Sequence, residues 1–94
     1  MSEQWFKPSK ALTFDTVQAD SKRFQALLHD REEITIIRLD LGDVVECDSA
    51  GLALLIEVKR LCVKYQKTMV IEKLPKVILS LAEFCGVETM LNVK

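Results

Sequence analysis

The sequence contains little of the chemistry on which catalytic and metal sites usually depend. It has one histidine, His29, and three cysteines, Cys47, Cys62 and Cys85, which are far apart and lie in apolar runs. Zinc sites use several closely spaced Cys or His ligands, and disulfide frameworks use an even set of cysteines. We therefore expect no metal, no cofactor and no enzymatic activity, and we expect three buried, reduced thiols typical of a cytosolic protein.

Aromatic residues, excess positive charge and long apolar runs are also scarce. Aromatics make up 6% of the 94 residues, and 13 basic side chains face 14 acidic ones, for a net charge of −1. Nucleic-acid-binding domains usually carry a basic excess or stacking aromatics, so we expect no nucleic acid partner. The longest unbroken apolar run is 52–56. A membrane-spanning helix needs about 20 apolar residues, so we expect no direct membrane insertion and a cytoplasmic location.

What is present is the composition of a small globular domain, with 49% hydrophobic residues, 3 glycines and 2 prolines. A chain of this length leaves room for one domain, to which we assign residues 1–94. Apolar periodicity and turn residues predict helices and strands along the whole chain. The predicted strands are 4–7, 11–15, 34–41 and 68–72, the predicted helices are 17–29, 49–67 and 75–85, and a short strand or turn is predicted over 87–93.

The order of these elements, β-β-α-β-α-β-α, indicates an α/β fold. Strands that are joined through helices pair in parallel with right-handed crossovers. We therefore predict a small, mixed, mostly parallel sheet of four or five strands with helices packed on it. Residues 34–41 place apolar side chains on both faces of their strand, which predicts a central strand covered on both faces or on one face.

The most informative stretch is 39–55, LDLGDVVECDSAGLALL, in which a buried strand, a short connector and a helix follow one another. Asp48 or Ser49 can cap the helix, because a short side-chain oxygen accepts hydrogen bonds from the free N–H groups of the first turn. An exposed Ser49 hydroxyl at this helix end would accommodate a phosphate. Together with Ala50 and Gly51, which lets a partner backbone approach, it is a candidate phosphoacceptor or partner contact. The alternative is a helix cap with no further role.

A second candidate surface follows along the same helix. Its predicted core face consists of Leu54, Leu55, Val58, Leu61, Cys62 and Tyr65. Beside that face lies a mixed stripe of Leu52, Ile56, Lys59 and Val63. Lys59 within this apolar stripe favours partial exposure, so we predict that the stripe contacts a partner protein. The alternative is that the stripe belongs to the core.

Nine positions in this region form one pattern: Asp40, Leu41, Gly42, Val44, Cys47, Asp48, Ser49, Gly51 and Leu52. Eight of them match D-L-S-x-V-x-x-hydrophobic-D-S/T-x-G-L, the pattern of the STAS domain family, which the chain resembles, and Gly42 stands where the family usually has Ser. The resemblance implies a small α/β domain that binds partner proteins and has no catalysis of its own. In the anti-sigma factor antagonists of this family a phosphorylatable Ser or Thr follows the Asp directly, which corresponds to Ser49.

Within that family, residues 51–55 (GLALL) most resemble the MlaB-like branch. Those proteins are STAS subunits on the ATPase of a phospholipid-transporting ABC complex of Gram-negative bacteria, which maintains outer-membrane lipid asymmetry. They carry Thr at the position of Ser49, where it contributes to the ATPase contact. The resemblance therefore implies an ABC-transporter ATPase as the partner and a position peripheral to the inner membrane through that partner.

The alternative partner that the resemblance implies is an anti-sigma factor kinase acting on Ser49. The family's Gly-Glu-Leu/Ile-Asp turn, which often helps form the anti-sigma factor contact, is absent here, and residues 14–17 (FDTV) stand near its place. This departure favours the ATPase over the kinase as the partner.

Overall fold

The computed structural model describes residues 2–91 of the chain. The strands are β1 (Ser2–Phe6), β2 (Ala11–Leu12), β3 (Ile34–Asp40), β4 (Glu46–Cys47) and β5 (Thr68–Glu72). The helices are α1 (Val17–Asp30), α2 (Ser49–Lys64) and α3 (Lys76–Cys85), and a 3₁₀ turn covers Glu88–Leu91. The predicted order of elements is present from β1 to α3, and one strand, β4, is added to it.

The five strands form two parallel sheets. A three-stranded sheet has the order β1-β3-β5, and a two-stranded sheet pairs β2 with β4. The predicted α/β class and parallel pairing are confirmed, but the strands are divided between two sheets and their described pairs are all parallel. Strand β4 lies in the segment 42–47 that we predicted as a connector, because two residues are too few to show a period-2 pattern.

The central strand β3 has two unlike faces. Ile37 and Leu39 are fully buried and belong to the hydrophobic core. Alternation along the strand places Arg38 on the opposite face, where its guanidinium pairs with Glu3 of β1 and Glu72 of β5. Of the two predicted coverings, the structure has the one in which apolar packing covers a single face.

Helix α2 supplies a large part of the core and contacts α1, α3 and β5. The predicted core positions Leu54, Leu55, Val58, Leu61 and Cys62 are all buried. Tyr65 was wrongly predicted to join them and is 53% exposed. The helix ends at Lys64, three residues before the predicted end, because Gln66 adopts a positive φ of 59° and the chain turns there.

The C-terminal elements follow the turn residues closely. Pro75 precedes α3 as its capping residue rather than occupying the first turn, and Gly86 ends the helix with a left-handed φ of 72°, as its sequence position predicts. The predicted tail over 87–93 is a 3₁₀ turn rather than a strand where it is described, and its residues 92 and 93 lie outside the described part.

One carboxylate, Asp20 on α1, is almost completely buried. It accepts hydrogen bonds from the backbone N–H and the hydroxyl of Ser9 and pairs with Arg23. Because a buried charge is stable only when it is paired and hydrogen-bonded, these contacts hold the loop between β1 and β2 against α1. The sequence reading did not single out this residue.

The cysteines differ from one another in burial. Cys62 is buried and Cys47 is half-buried, but Cys85 is exposed, which contradicts the prediction of three buried thiols. Cys85 lies at the end of α3 beside Phe84, which is 89% exposed, so this part of the helix turns its apolar side chains outward. Among the described helices, none is long and apolar enough to cross a membrane.

Candidate functional site

The start of helix α2 is fixed by Asp48. Its side chain accepts one hydrogen bond from the Gly51 N–H at 2.9 Å and another from the Phe14 N–H at 3.0 Å. The hydrogen bond from Gly51, followed by that from Phe14, lowers the pKa of the Asp48 carboxyl, so that the carboxylate is ionised at neutral pH. Of the two predicted caps, Asp48 is therefore the one used, and it also ties α2 to the loop that precedes α1.

Gly51 is buried and lies against the chain's own backbone. A Cβ atom built at this position would lie 1.9 Å from the carbonyl oxygen of Leu12 and 3.1 Å from the sulfur of Cys47. We predicted that the missing side chain admits the backbone of a partner, and this explanation is wrong. The absent side chain instead lets α2 approach strand β2 of the same domain.

Ser49 is the first residue of α2 and is exposed. Because Asp48 provides the cap, the Ser49 hydroxyl is not needed to satisfy the first turn. Ala50 is half-buried and lines a shallow groove between α1 and α2, together with Val17 and Ser21 of α1. The Ser49 hydroxyl thus lies at the surface, close to this groove in the sequence and on the same helix.

The predicted stripe along α2 is only partly a surface. Leu52 is 3% exposed and belongs to the core, which contradicts its assignment to a partner interface. Ile56 is half-buried and packs against the core, and Lys59 is also half-buried. Only Val63, at 64% exposed, is an open apolar residue, and it lies near the far end of the helix.

The helix face that begins at Ser49 is rotated away from this stripe. Residues four positions apart share a face, and Ala53, one turn beyond Ser49, is exposed. Leu52 lies next to Ala53 in sequence but is turned inward, toward the core formed with the strands and the other helices. At the N-terminal end of α2 the exposed position is therefore Ala53, one residue after the predicted Leu52.

The sequence reading missed two exposed apolar residues, of which Phe14 lies beside Asp48 and Val45 lies at the opposite end of β4. Phe14 is 78% exposed in the loop whose N–H binds Asp48, and Val45 is 76% exposed just before β4. Val44 beside it is buried, so the pair of valines has one inward and one outward member. No periodic pattern identified the outward one, because Glu46 after it is exposed as well. We call Phe14, Ser49 and Ala53 the Ser49 surface.

The thiol nearest to Ser49 in the sequence is that of Cys47. Burial, with a smaller contribution from the Asp48 charge, raises the pKa of the half-buried Cys47 thiol to about 11, which leaves it protonated at neutral pH. Within residues 2–91, no three His, Cys, Asp or Glu side chains are grouped so as to hold a metal ion.

A larger cleft, of about 600 Å³, lies at the other end of α2. It is lined by residues from the ends of α1 and α2, including His29, Tyr65 and Lys67. Sixteen helical residues separate the two ends of α2, which corresponds to about 24 Å. The cleft therefore lies apart from the Ser49 surface.

A comparison with protein families gives one match for this chain. The family model described as "Mlab, STAS domain" matches residues 9–92. These residues include all three helices and every strand except β1. No curated protein matches the chain at a significant level. The match includes the capping residue Asp48, Ser49 and the loop that carries Phe14.

Proposed function

Because the chain belongs to the STAS domain family, we propose that it is a non-catalytic subunit that binds the ATPase of a phospholipid-transport ABC complex. In this proposal it lies in the cytoplasm, peripheral to the inner membrane through its partner. It regulates or stabilises the ATPase by occupying part of the ATPase surface, and so supports outer-membrane lipid asymmetry. The MlaB type of the matching family model favours this partner over the others known for STAS domains.

The observation that carries the proposal is the exposure of the Ser49 surface. Phe14 leaves most of its apolar area in water, and the hydrogen bond from its N–H to Asp48 holds it close to the exposed hydroxyl of Ser49. Aromatic side chains are enriched at protein interfaces, so an exposed phenylalanine at this place favours a partner contact. Ala53 adds a small side chain one turn beyond Ser49, which permits close approach of a partner backbone.

The contacts within the domain explain why side chains of this surface can serve binding without being needed for stability. Asp48 caps α2 and Gly51 packs on Leu12, so neither the hydroxyl of Ser49 nor the side chain of Phe14 is needed for folding. A substitution at Ser49 should therefore change binding and leave the fold intact.

The test is co-purification from a native membrane fraction, followed by affinity measurement with the recovered ATPase. We expect Ser49→Glu to weaken ATPase binding at least about ten-fold, because a carboxylate buried in the contact loses its hydration. Ser49→Thr should bind as the parent does, since the hydroxyl is retained. The thermal midpoint of both variants should stay close to that of the parent.

Gln25→Glu is the matched control, because Gln25 is exposed on α1 and lines the cleft at the other end of α2. It adds the same charge and should leave the affinity unchanged. Parental affinity in Ser49→Glu, or equal losses in both variants, would contradict the proposed role of the Ser49 surface.

A second candidate is an anti-sigma factor antagonist that a serine kinase controls at Ser49. The exposure of that hydroxyl favours it, because a kinase must reach the oxygen that it phosphorylates. The co-purification separates the two candidates: recovery of an ABC ATPase supports the first, and recovery of a kinase that phosphorylates Ser49 supports the second.

A further inference from the structure

Strand β1 (Ser2–Phe6) lies at one edge of the three-stranded sheet. Among the described strands it pairs only with β3, so its other side has no strand partner there. An edge strand presents backbone N–H and C=O groups that can pair with a further strand. Trp5, the last residue but one of β1, is 48% exposed.

The charges along this edge are complementary to themselves. Glu3 and Lys7 are placed symmetrically about Trp5 and, at spacings of two residues, share its face of the strand. If two β1 strands pair antiparallel with Trp5 opposite Trp5, each Glu3 lies opposite the Lys7 of the other copy. Centring the pair on Phe6 instead would place Pro8, which has no N–H, opposite Gln4 inside the ladder, whereas centring on Trp5 places Pro8 opposite Ser2 at the end of the ladder.

We propose that two copies of this chain associate through β1 as a symmetric antiparallel pair centred on Trp5, which joins their three-stranded sheets into one of six strands. The occupant of the edge is a second copy because one copy supplies both members of each charge pair. This inference uses none of the residues of the Ser49 surface, so it stands or falls separately from the proposed function.

The contacts within one chain leave this pairing possible. The Lys7 carbonyl accepts a hydrogen bond from Arg23 and the Trp5 carbonyl accepts one from the Gln4 side chain, and each carbonyl oxygen keeps a second lone pair for the other copy. Glu3 pairs with Arg38, and Lys7 pairs with Asp43 with both side chains about half exposed. Exposed ion pairs of this kind contribute little to stability, so their partners can be shared or exchanged. Trp5 already lies over the Arg38 guanidinium, 5.9 Å from it, which holds the indole against the sheet face.

The first test is sedimentation equilibrium of the purified full chain over a wide concentration range. We expect a reversible monomer–dimer equilibrium. Glu3→Lys should weaken it at least about ten-fold, because like charges opposite one another on paired strands are destabilising. The double change Glu3→Lys with Lys7→Glu should restore association to within about three-fold of the parent, since opposite charges face each other again.

The double change separates the proposed contact from the contacts within one chain. Both variants lose the Glu3–Arg38 pair, and the double variant also loses the Lys7–Asp43 pair. Only the double variant regains a complementary partner in the second copy, so its recovery cannot come from contacts within one chain. Glu83→Lys, at an exposed position on α3, is the charge control and should leave association unchanged. A monomer at every concentration, or a double variant as weak as the single one, would overturn the proposal.

The second test fixes the register by disulfide formation in a Cys85→Ser background, which removes the exposed native thiol. Residues directly opposite in an antiparallel pair have Cα atoms about 4.5–5.5 Å apart, within disulfide range. Trp5→Cys should therefore form a dimer under mild oxidation. Glu3→Cys should not, because its counterpart lies about four residues away along the partner strand. Equal cross-linking of both variants would refute the register.

Discussion

Replacing Gly51 with alanine should destabilise the domain, although helix propensity alone predicts the opposite. Alanine favours a helix interior by about 1 kcal/mol over glycine. The new Cβ would lie 1.9 Å from the Leu12 carbonyl oxygen and 2.8 Å from its carbonyl carbon, both of them backbone atoms. An ordinary contact needs about 3.5 Å, so α2 and β2 would have to separate by more than about 1 Å.

The expected loss is the difference between these two effects. Overpacking of a rigid site costs about 3 kcal/mol at the upper end of its usual range, and the propensity gain offsets about 1 kcal/mol of it. We therefore expect Gly51→Ala to lower the free energy of unfolding by about 2 kcal/mol and the thermal midpoint by roughly 8–16 °C.

Urea titration followed by circular dichroism measures this change directly. Ala53→Gly, on the exposed side of the same helix, is the matched control and should lose about 1 kcal/mol from propensity alone. Equal or higher stability of Gly51→Ala would refute the reasoning, because it would mean that α2 and β2 are not held at backbone contact.

Three further predictions concern burial and charge. Thiol reagents should label Cys85 quickly in the native protein and Cys62 only after unfolding, and the reverse order by mass spectrometry would show that α2 and α3 face differently. Leu52→Ala should cost about 2–5 kcal/mol in urea unfolding, whereas Val63→Ala should stay within about 0.5 kcal/mol. Equal losses would place both residues in the core. The folded-state pKa of Asp48 is lowered, so the stability that its charge provides is present above its unfolded pKa of about 3.9 and is lost as pH falls through the folded value. Acid titration should therefore destabilise the parent more than Asp48→Asn, and parallel curves would contradict this.

Local rules predicted the features that depend on neighbours in sequence. The Asp48 cap, the left-handed Gly86 and the central position of β3 each follow from a few adjacent residues and were confirmed. The same rules missed β4, because its two residues gain their structure from pairing with β2, a segment more than thirty positions away. A short strand of this kind is determined by its partner and leaves no pattern of its own.

The candidate site was harder to predict because exposure depends on packing between distant elements. Leu52 and Ala53 are adjacent, and periodicity alone does not decide which of them the rest of the fold covers. The role of Gly51 was misread for a related reason, since the backbone that approaches it belongs to Leu12 of the same chain. Phe14 and Val45 lie in segments without a regular period, so their exposure became visible only once the loops were placed.

The two hydrogen bonds that Asp48 accepts have a kinetic consequence for recognition. One carboxylate holds the Phe14 loop and the first turn of α2 together, so the Ser49 surface is already arranged before a partner arrives. A preorganised surface loses little conformational entropy on association. Weakening Asp48 would lower the fraction of molecules in the competent arrangement and slow complex formation, whereas removing the Phe14 side chain would shorten the lifetime of the complex once formed.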